Sequence, residues 1–169
     1  MTDVPKFILD RVFDAPREMV WRAWTDPELL ARWYGPGIET IIHEFDPRPG
    51  GRWLNEMKWG DNSFYQKVIF TEVTPPESLV WHHYSSTDAD WNNAPNPKMP
   101  DWPHLLLTTV TFETRGEKTN VRLSQVPHEA TDAEIACFAE MMAGMSKGWG
   151  SGYGIMDEIF AELRTSGSA

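Results

Sequence analysis

The chain has 169 residues, of which 41% are hydrophobic and 12% aromatic, and its formal net charge is −10. This length and composition predict one globular domain with a hydrophobic core and exclude a disordered chain. Because an acidic protein repels phosphate backbones, and because the Lys and Arg residues are scattered along the chain, we expect no nucleic-acid partner.

Cysteine usage and hydropathy indicate the compartment. Cys137 is the one cysteine, so no intrachain disulfide can form, which is typical of a reducing environment. No stretch approaches the roughly 18 consecutive apolar residues that a membrane-spanning helix needs. We therefore expect a cytoplasmic protein without membrane insertion.

The first part of the chain predicts a strand and two short helices. Apolar and polar residues alternate from Lys6 to Phe13, which favours a strand, and apolar residues at helical spacing follow it. The second helix is expected to begin at a capping box in which the Thr25 hydroxyl accepts a hydrogen bond from the Glu28 N–H. Gly35–Gly37 contains glycine and proline and is expected to end this helix.

The middle of the chain predicts six further strands, because period-2 alternation recurs there between turn-forming residues. Connections of hairpin size favour an antiparallel sheet. The predicted strands are Thr40–Phe45, Arg52–Trp59, Phe64–Val73, Leu79–Ser85, Leu105–Thr114 and Thr119–Val126.

A long loop, Ser86–Pro103, interrupts this strand pattern. It is rich in proline and contains Trp91 and Trp102, whereas flexible linkers are rich in glycine and serine. Loops of this length in a compact domain are usually covers or binding loops. We expect the loop either to cover a pocket or to form a homodimer contact.

The last long segment, Thr131 to Arg164, predicts one amphipathic helix. Gly148, Gly150, Gly152 and Gly154 interrupt its centre, which is typical of a bend, of close approach to another backbone, or of space beside the helix. Its apolar residues recur mostly at steps of three and four and form one stripe that needs a sheet to cover it. The stripe consists of Ile135, Phe138, Met142, Met145, Trp149, Met156, Ile159 and Leu163.

The predicted fold class is α+β: a curved antiparallel sheet of roughly six to seven strands wrapped around a long C-terminal helix. Two short helices follow the first strand. We expect a single domain over residues 1–169, with its core at about 6–164.

Several segments resemble the SRPBCC superfamily, the START-like and birch-pollen-allergen-like helix-grip domains. Within it, the chain resembles the family homologous to the C-terminal domain of the heat-shock-protein-ninety ATPase activator. The resemblance implies the helix-grip fold and a role in binding small molecules or a chaperone. The segments that carry it are 11–17, 20–28, 33–36, 46–53, 73–80, 109–112, 119–121 and 148–149.

Motifs for metal, cofactor or nucleophile chemistry do not occur in the sequence. The five histidines lack the spacing of a metal site, and no phosphate loop, dinucleotide fingerprint or nucleophile elbow is present. We therefore expect no metal and no cofactor. His83 is the candidate acid or base if it faces a cavity.

An apolar set with a few polar members predicts a ligand site between the sheet and the long helix. A mostly apolar hollow with a few polar groups is what a small-molecule site requires, although the same residues also suit an ordinary core. The predicted ligand-binding residues are Trp53, Asn55, Met57, Phe64, Gln66, Val68, Trp81, His83, Met142, Met145 and Trp149.

Three functional hypotheses follow. The first is a domain that binds a small apolar or amphipathic molecule without catalysis. The second, implied by the resemblance, is a module that binds a heat-shock chaperone. The third is an enzyme of the cyclase or hydrolase type that uses His83 or a tyrosine in the pocket.

Overall fold

The computed structural model describes residues 4–34, 38–94 and 99–165. In these ranges the helices are α1 (Arg17–Thr25), α2 (Pro27–Trp33) and α3 (Asp132–Thr165). The strands are β1 (Phe7–Phe13), β2 (Glu39–Phe45), β3 (Arg52–Trp59), β4 (Asn62–Thr74), β5 (Ser78–Thr87), β6 (Leu105–Arg115) and β7 (Lys118–Pro127). Every predicted strand, and the long helix, is confirmed with ends that differ by at most two residues.

The seven strands form one antiparallel sheet in the order β1-β7-β6-β5-β4-β3-β2. Irregular register occurs between Ile42 and Glu44 in β2 and at two places in the pairing of β4 with β5. Such bulges bend a sheet and increase its twist. The predicted helix-grip arrangement, a curved antiparallel sheet around a long helix, is confirmed.

The core lies between the inner face of the sheet and the three helices, and aromatic side chains dominate its centre. The ring of Trp24 in α1 lies 4.7 Å from that of Trp33 in α2, 6.3 Å from that of Trp81 in β5 and 6.1 Å from that of Trp149 in α3. Such pairs add to the stability that comes from the large area they bury. One aromatic cluster therefore joins all three helices to the sheet.

The apolar stripe of α3 faces this core. Phe138, Met156 and Ile159 are fully buried, and the other five predicted stripe residues are partly buried. The prediction omitted Tyr153 and Phe160, which are also buried. Tyr153 lies within the glycine-rich centre, where the apolar spacing is hardest to trace, and Phe160 follows it.

The glycines of α3 do not end the helix, which continues from Asp132 to Thr165. At Gly152 the backbone passes so close to the end of α2 that an added Cβ would lie 2.7 Å from the Trp33 carbonyl oxygen. The predicted close approach is therefore confirmed at this glycine. A Cβ added at Gly144, Gly148, Gly150 or Gly154 would meet nothing within 4 Å.

The predicted capping box at the start of α2 is wrong. Asp26 is the N-cap and accepts a hydrogen bond from the Glu28 N–H at 3.0 Å. Thr25 is the last residue of α1, so its hydroxyl donates back to the Trp21 carbonyl at 2.9 Å instead. Gly35–Gly37, which the sequence predicts to end α2, lies outside the described residues.

A reciprocal capping box does occur at the start of α3. The Glu134 N–H donates to the Thr131 hydroxyl at 3.2 Å, and the Thr131 N–H donates to the Glu134 carboxylate at 2.9 Å. The pair satisfies backbone donors that the first turn of a helix leaves unpaired. This box was not predicted.

Replacing Gly152 by alanine tests the close approach of α3 to α2. Backbone lies against the new methyl group, so we expect Gly152→Ala to lower the unfolding free energy by about 1–3 kcal/mol. Gly150→Ala is the matched control, and it should raise that free energy by up to about 1 kcal/mol because alanine favours a helix. Urea denaturation measures both. Equal stability of the two variants would contradict the contact.

Candidate functional site

A cavity of about 640 Å³ lies between α3 and the inner face of the sheet. This volume is within the range of sites that hold small organic molecules. Its described lining comprises Trp33, Tyr34, Ile38, Met57, Trp59, Phe64, Tyr65, Gln66, His83, Ser85, Ser86, Met99, Trp102, Leu106, Gln125, Met141, Gly144, Met145, Gly148, Trp149 and Gly152.

Strand register brings the sheet side of the cavity together. Met57 in β3 is paired with Phe64 in β4, and His83 in β5 is paired with Leu106 in β6. Successive side chains on a strand point to opposite faces, so His83 faces inward whereas its neighbour His82 faces outward. The His82 ring instead stacks on that of His128, at 5.2 Å between centroids.

The N-terminal half of α3 forms the opposite wall. Met141, Met145 and Trp149 recur at helical spacing, and Gly144 and Gly148 lie between them on the same face. Because an added Cβ at either glycine meets nothing within 4 Å, these residues leave room where side chains would otherwise project. The sequence predicted space beside Met145 and Trp149, but not that Gly144 contributes to it.

Polar groups on the cavity wall are few and only partly paired. The Tyr34 hydroxyl donates to the Gln66 side-chain oxygen at 3.3 Å, and the Gln125 amide donates to the Thr108 hydroxyl at 3.1 Å. His83 Nδ1 and Ser85 Oγ are buried without a hydrogen-bond partner among the described residues. An unpaired buried polar group destabilises the fold, and a ligand that pairs with it removes that cost.

The polar groups of this wall are electrically neutral. His83 is 5% exposed, and burial lowers its pKa to about 4, so the imidazole is uncharged at pH 7. Burial also raises the pKa of the Tyr34 hydroxyl, which therefore keeps its proton. Among the described lining residues there is no Asp, Glu, Lys or Arg.

The edge of the cavity carries exposed apolar side chains. Trp59 is 63% exposed and Met141 is 41% exposed, although both line the cavity. Large exposed apolar groups at the rim of a pocket are typical of a site that meets an apolar molecule. The opening therefore lies between the end of β3 and the first half of α3.

The predicted ligand-binding residues separate into two groups. The lining contains Met57, Phe64, Gln66, His83, Met145 and Trp149, whose roles as ligand contacts stay predictions. The remaining five do not line the cavity: Trp53, Asn55, Val68, Trp81 and Met142.

Aromatic packing explains the second group. Trp53 and Trp81 lie on the predicted inner face, but their rings pack at 6.2 Å from each other, and Trp24 adjoins Trp81. Asn55 and Val68 are almost completely buried, and Met142 packs against the core cluster. Alternation identifies the inner face of a strand, but not the point where packing ends and a cavity begins.

The lining residues missed by the prediction include Ser85 and Ser86 at the end of β5 and residues from several other places. Leu106 and Gln125 lie on the inner faces of β6 and β7, where extending the alternation argument across paired strands would have found them. Tyr34 follows α2. Met99 and Trp102 belong to the long loop, which the sequence predicted either to cover the pocket or to form a dimer contact.

The two loop tryptophans have different positions. Trp102 lines the cavity, and its ring lies 5.6 Å from that of Phe138 in α3. The Trp91 ring packs instead against His43 at 5.5 Å and Tyr65 at 5.3 Å. The predicted role as a cover thus suits Trp102.

The loop is joined to α3 immediately after Trp102. Both the backbone N–H and the Nδ1 of His104 lie within hydrogen-bond distance of one Glu134 oxygen, at 2.9 and 3.1 Å. Burial alone would raise the pKa of Glu134, but hydrogen bonds from Thr131 and His104 lower it to about 2. The carboxylate that caps α3 therefore also holds the end of the loop.

The described residues lack both a metal-ligand cluster and a membrane-spanning helix. Within residues 4–34, 38–94 and 99–165, no three His, Cys, Asp or Glu side chains come together as metal ligands would. No helix in the same ranges combines the length and the apolar character needed to cross a bilayer.

Comparison with known families identifies the fold family. The family model described as activator of Hsp90 ATPase homolog 1-like protein matches residues 14–161. The chain belongs to this family. The resemblance to this family drawn from the sequence is therefore confirmed. No protein with a curated description matches the sequence of this family member.

Solved structures agree with the family assignment. A Mycobacterium smegmatis protein is 23% identical with a TM-score of 0.75, and the alignment covers 94% of this chain and 95% of that one. An Arthrobacter aurescens protein is 23% identical with a TM-score of 0.76, covering 95% and 91%. A Staphylococcus epidermidis protein is 21% identical with a TM-score of 0.74, covering 96% and 93%. At this identity the likeness shows the fold alone.

Replacing His83 by phenylalanine tests the buried neutral imidazole. As the pH falls below 6.5, the unfolded chain binds a proton at this histidine, whereas the folded chain binds it only near pH 4. The stability that the neutral imidazole contributes is therefore fully present above pH 6.5 and is lost as the pH falls towards 4. Between pH 7.5 and 4.5, wild type should lose about 2–3 kcal/mol more unfolding free energy than His83→Phe.

Urea denaturation at the two pH values provides the measurement. His82→Phe is the matched control, because it removes the neighbouring histidine from the outer face and should leave the acid sensitivity of wild type in place. If His83→Phe remained as acid-sensitive as wild type, the buried neutral state would be wrong.

Proposed function

We propose that this family member binds a small, largely apolar molecule in the cavity between α3 and the sheet. The observation that carries the proposal is the 640 Å³ cavity itself, with aromatic and methionine walls and a few polar groups. Protein interiors are close-packed and contain few voids larger than a water molecule. A space of this size is therefore better explained as a binding site than as imperfect packing.

The glycines of α3 support the same conclusion. Each glycine in a helix interior costs about 1 kcal/mol relative to alanine. At Gly144 and Gly148 an added Cβ would meet no atom within 4 Å, so packing does not demand glycine there. These two glycines keep open a space that side chains would fill, at a cost in helix stability that Gly150 and Gly154 share.

The walls suit an apolar guest of irregular shape. Met57, Met99, Met141 and Met145 contribute flexible, polarisable side chains that adapt to different ligand outlines. Trp149 is more fixed, because its ring stacks near Trp24 and meets the Tyr34 ring at 5.9 Å. The cavity surface thus combines a fixed aromatic side chain with adaptable methionines.

Filling the cavity from the helix tests the proposal. Gly148→Leu places an isobutyl group into the cavity, whereas Gly150→Leu adds the same group to an exposed position that does not line it. The uncharged fluorescent probe N-phenyl-1-naphthylamine should bind wild type and Gly150→Leu saturably, with at least about tenfold weaker binding to Gly148→Leu. Fluorescence titration measures all three.

Two results would overturn the proposed function. One is that the probe shows no saturable binding to wild type. The other is that Gly148→Leu and Gly150→Leu bind it equally well, which would locate the probe outside the cavity. Both leucines improve helix propensity in the same way, so helix stability does not account for a difference between them.

A second candidate function is chaperone binding, which family membership and one surface feature favour. Ile8 and Val12 on β1 are 47% and 48% exposed and lie on the face of the sheet turned away from α3. Replacing both by serine should weaken binding to a purified heat-shock-protein-ninety chaperone at least fivefold, by an order-of-magnitude expectation for interface residues. Calorimetry measures the binding, and Gly148→Leu is the control that separates this surface from the cavity. Undetectable binding of the chaperone by wild type would exclude this second function.

Catalysis by His83 has less support. A pKa of about 4 makes the imidazole a weak base at neutral pH. Among the described residues no carboxylate hydrogen-bonds to it, and its Nδ1 has no partner. General bases of this type are normally oriented by a third group. The geometry therefore favours a binding role for His83.

A further inference from the structure

The cavity wall differs in charge from the rest of the chain. The sequence contains 15 Lys and Arg and 25 Asp and Glu residues, yet the described lining contains none of these four residue types. Charged residues do occur on the strands that form the wall, but they are engaged elsewhere. Lys67 donates to the Trp91 carbonyl at 3.1 Å, and Glu56 accepts from Ser63 and contacts His43.

An ionic ligand would therefore lose its hydration without gaining a counter-ion from the described lining residues. Transfer of an unpaired ion into an apolar environment is far more costly than transfer of a neutral hydroxyl, which needs only a hydrogen bond. The cavity thus discriminates against anions and cations alike. Its discrimination against cations is opposite to what the net charge of −10 alone would produce.

The polar groups on the sheet side nevertheless form a hydrogen-bonding surface. The Gln125 side-chain N–H donates to the Thr108 hydroxyl, which leaves the Gln125 side-chain oxygen as an acceptor. Gln66 accepts from Tyr34 through its oxygen, which leaves the Gln66 amide as a donor. The pairing of neighbouring strands brings these groups near His83 and Ser85.

His83 and Ser85 complete this surface. They lie two residues apart on β5 and therefore on one face of the strand. Both line the cavity, and His83 Nδ1 and Ser85 Oγ are buried without partners among the described residues. A neutral imidazole has one donor and one acceptor nitrogen, and a hydroxyl is both donor and acceptor. Together they can pair with a group that donates, accepts or does both.

We propose that the cavity selects an uncharged molecule with an apolar, ring-sized body and a hydroxyl or carbonyl group that hydrogen-bonds to His83 and Ser85. This proposal rests on the cavity being the binding site proposed above. It adds the chemical class of the ligand: neutral alcohols, phenols or ketones, rather than carboxylates, sulfonates or amines.

Four naphthalenes that differ in one substituent test the class. The four compounds are 2-naphthol, 2-methylnaphthalene, 2-naphthoate and 2-naphthylmethylammonium. Each is tested as a competitor of N-phenyl-1-naphthylamine at pH 7.5. We expect 2-naphthol to bind most tightly. The methyl analogue, which leaves the polar groups unpaired, should bind roughly tenfold more weakly. The anion and the cation should each bind more than about tenfold more weakly.

Salt separates the cavity from the charge of the whole chain. At 1 M salt the Debye length is about 3 Å, so long-range repulsion and attraction are largely screened. Rejection of both ions should persist at 1 M salt. Recovery of 2-naphthoate binding at 1 M salt, or tighter binding of the cation than of 2-naphthol, would overturn the proposal.

Two variants locate the hydrogen bonds. His83→Phe and Ser85→Ala should each reduce the preference for 2-naphthol over 2-methylnaphthalene about threefold or more. His82→Phe, on the opposite face, should keep the full preference. If His83→Phe fails to fold, Ser85→Ala alone tests whether these hydrogen bonds select the ligand. An unchanged preference in Ser85→Ala would overturn the assignment.

The two proposals fail in different ways. If N-phenyl-1-naphthylamine does not bind wild type saturably, the proposed function itself is overturned, and with it the ligand class. If all four naphthalenes compete equally, the cavity is a binding site, but the selection for a neutral hydrogen-bonding molecule is wrong.

Discussion

The approach of α3 to the end of α2 at Gly152 fixes the position of the long helix over the sheet. No side chain separates the two backbones there, because an added Cβ would lie 2.7 Å from the Trp33 carbonyl oxygen. Trp33 is itself held by a hydrogen bond from its indole N–H to the Ala23 carbonyl at 2.8 Å. The contact thus links all three helices.

The two halves of α3 differ because of this contact. After Gly152, Tyr153, Met156, Ile159 and Phe160 are buried in the core. Before it, the helix presents methionines, glycines and Trp149 to a cavity. The second half therefore contributes most of the buried packing, whereas the first half borders the cavity and contributes Phe138 to the core.

Sequence patterns predicted the fold well because each element depends on local periodicity. Alternation along the strands and helical spacing along α3 follow from where side chains project, and no tertiary information is needed to detect them. The resemblance to helix-grip proteins supplied the arrangement of these elements. The capping error at Thr25 arose because two helices adjoin there, and one residue cannot both end the first and cap the second.

The site was predicted less completely, for a physical reason. Trp53 and Met57 lie on the same face of one strand, yet aromatic neighbours cover Trp53 whereas Met57 borders the cavity. Whether a residue on this face is covered or borders the cavity depends on the side-chain volume that distant segments contribute, including α2 and the long loop. Periodicity contains no information about those volumes, so Tyr34 was not identified as a lining residue.

The double use of Glu134 has a consequence for access to the cavity. One carboxylate accepts from Thr131 at the start of α3 and from His104 at the end of the long loop. Withdrawal of the loop from the cavity, through displacement of His104, would therefore also disturb the first turn of the helix. Displacement of the loop and loosening of the first turn of α3 would therefore occur together.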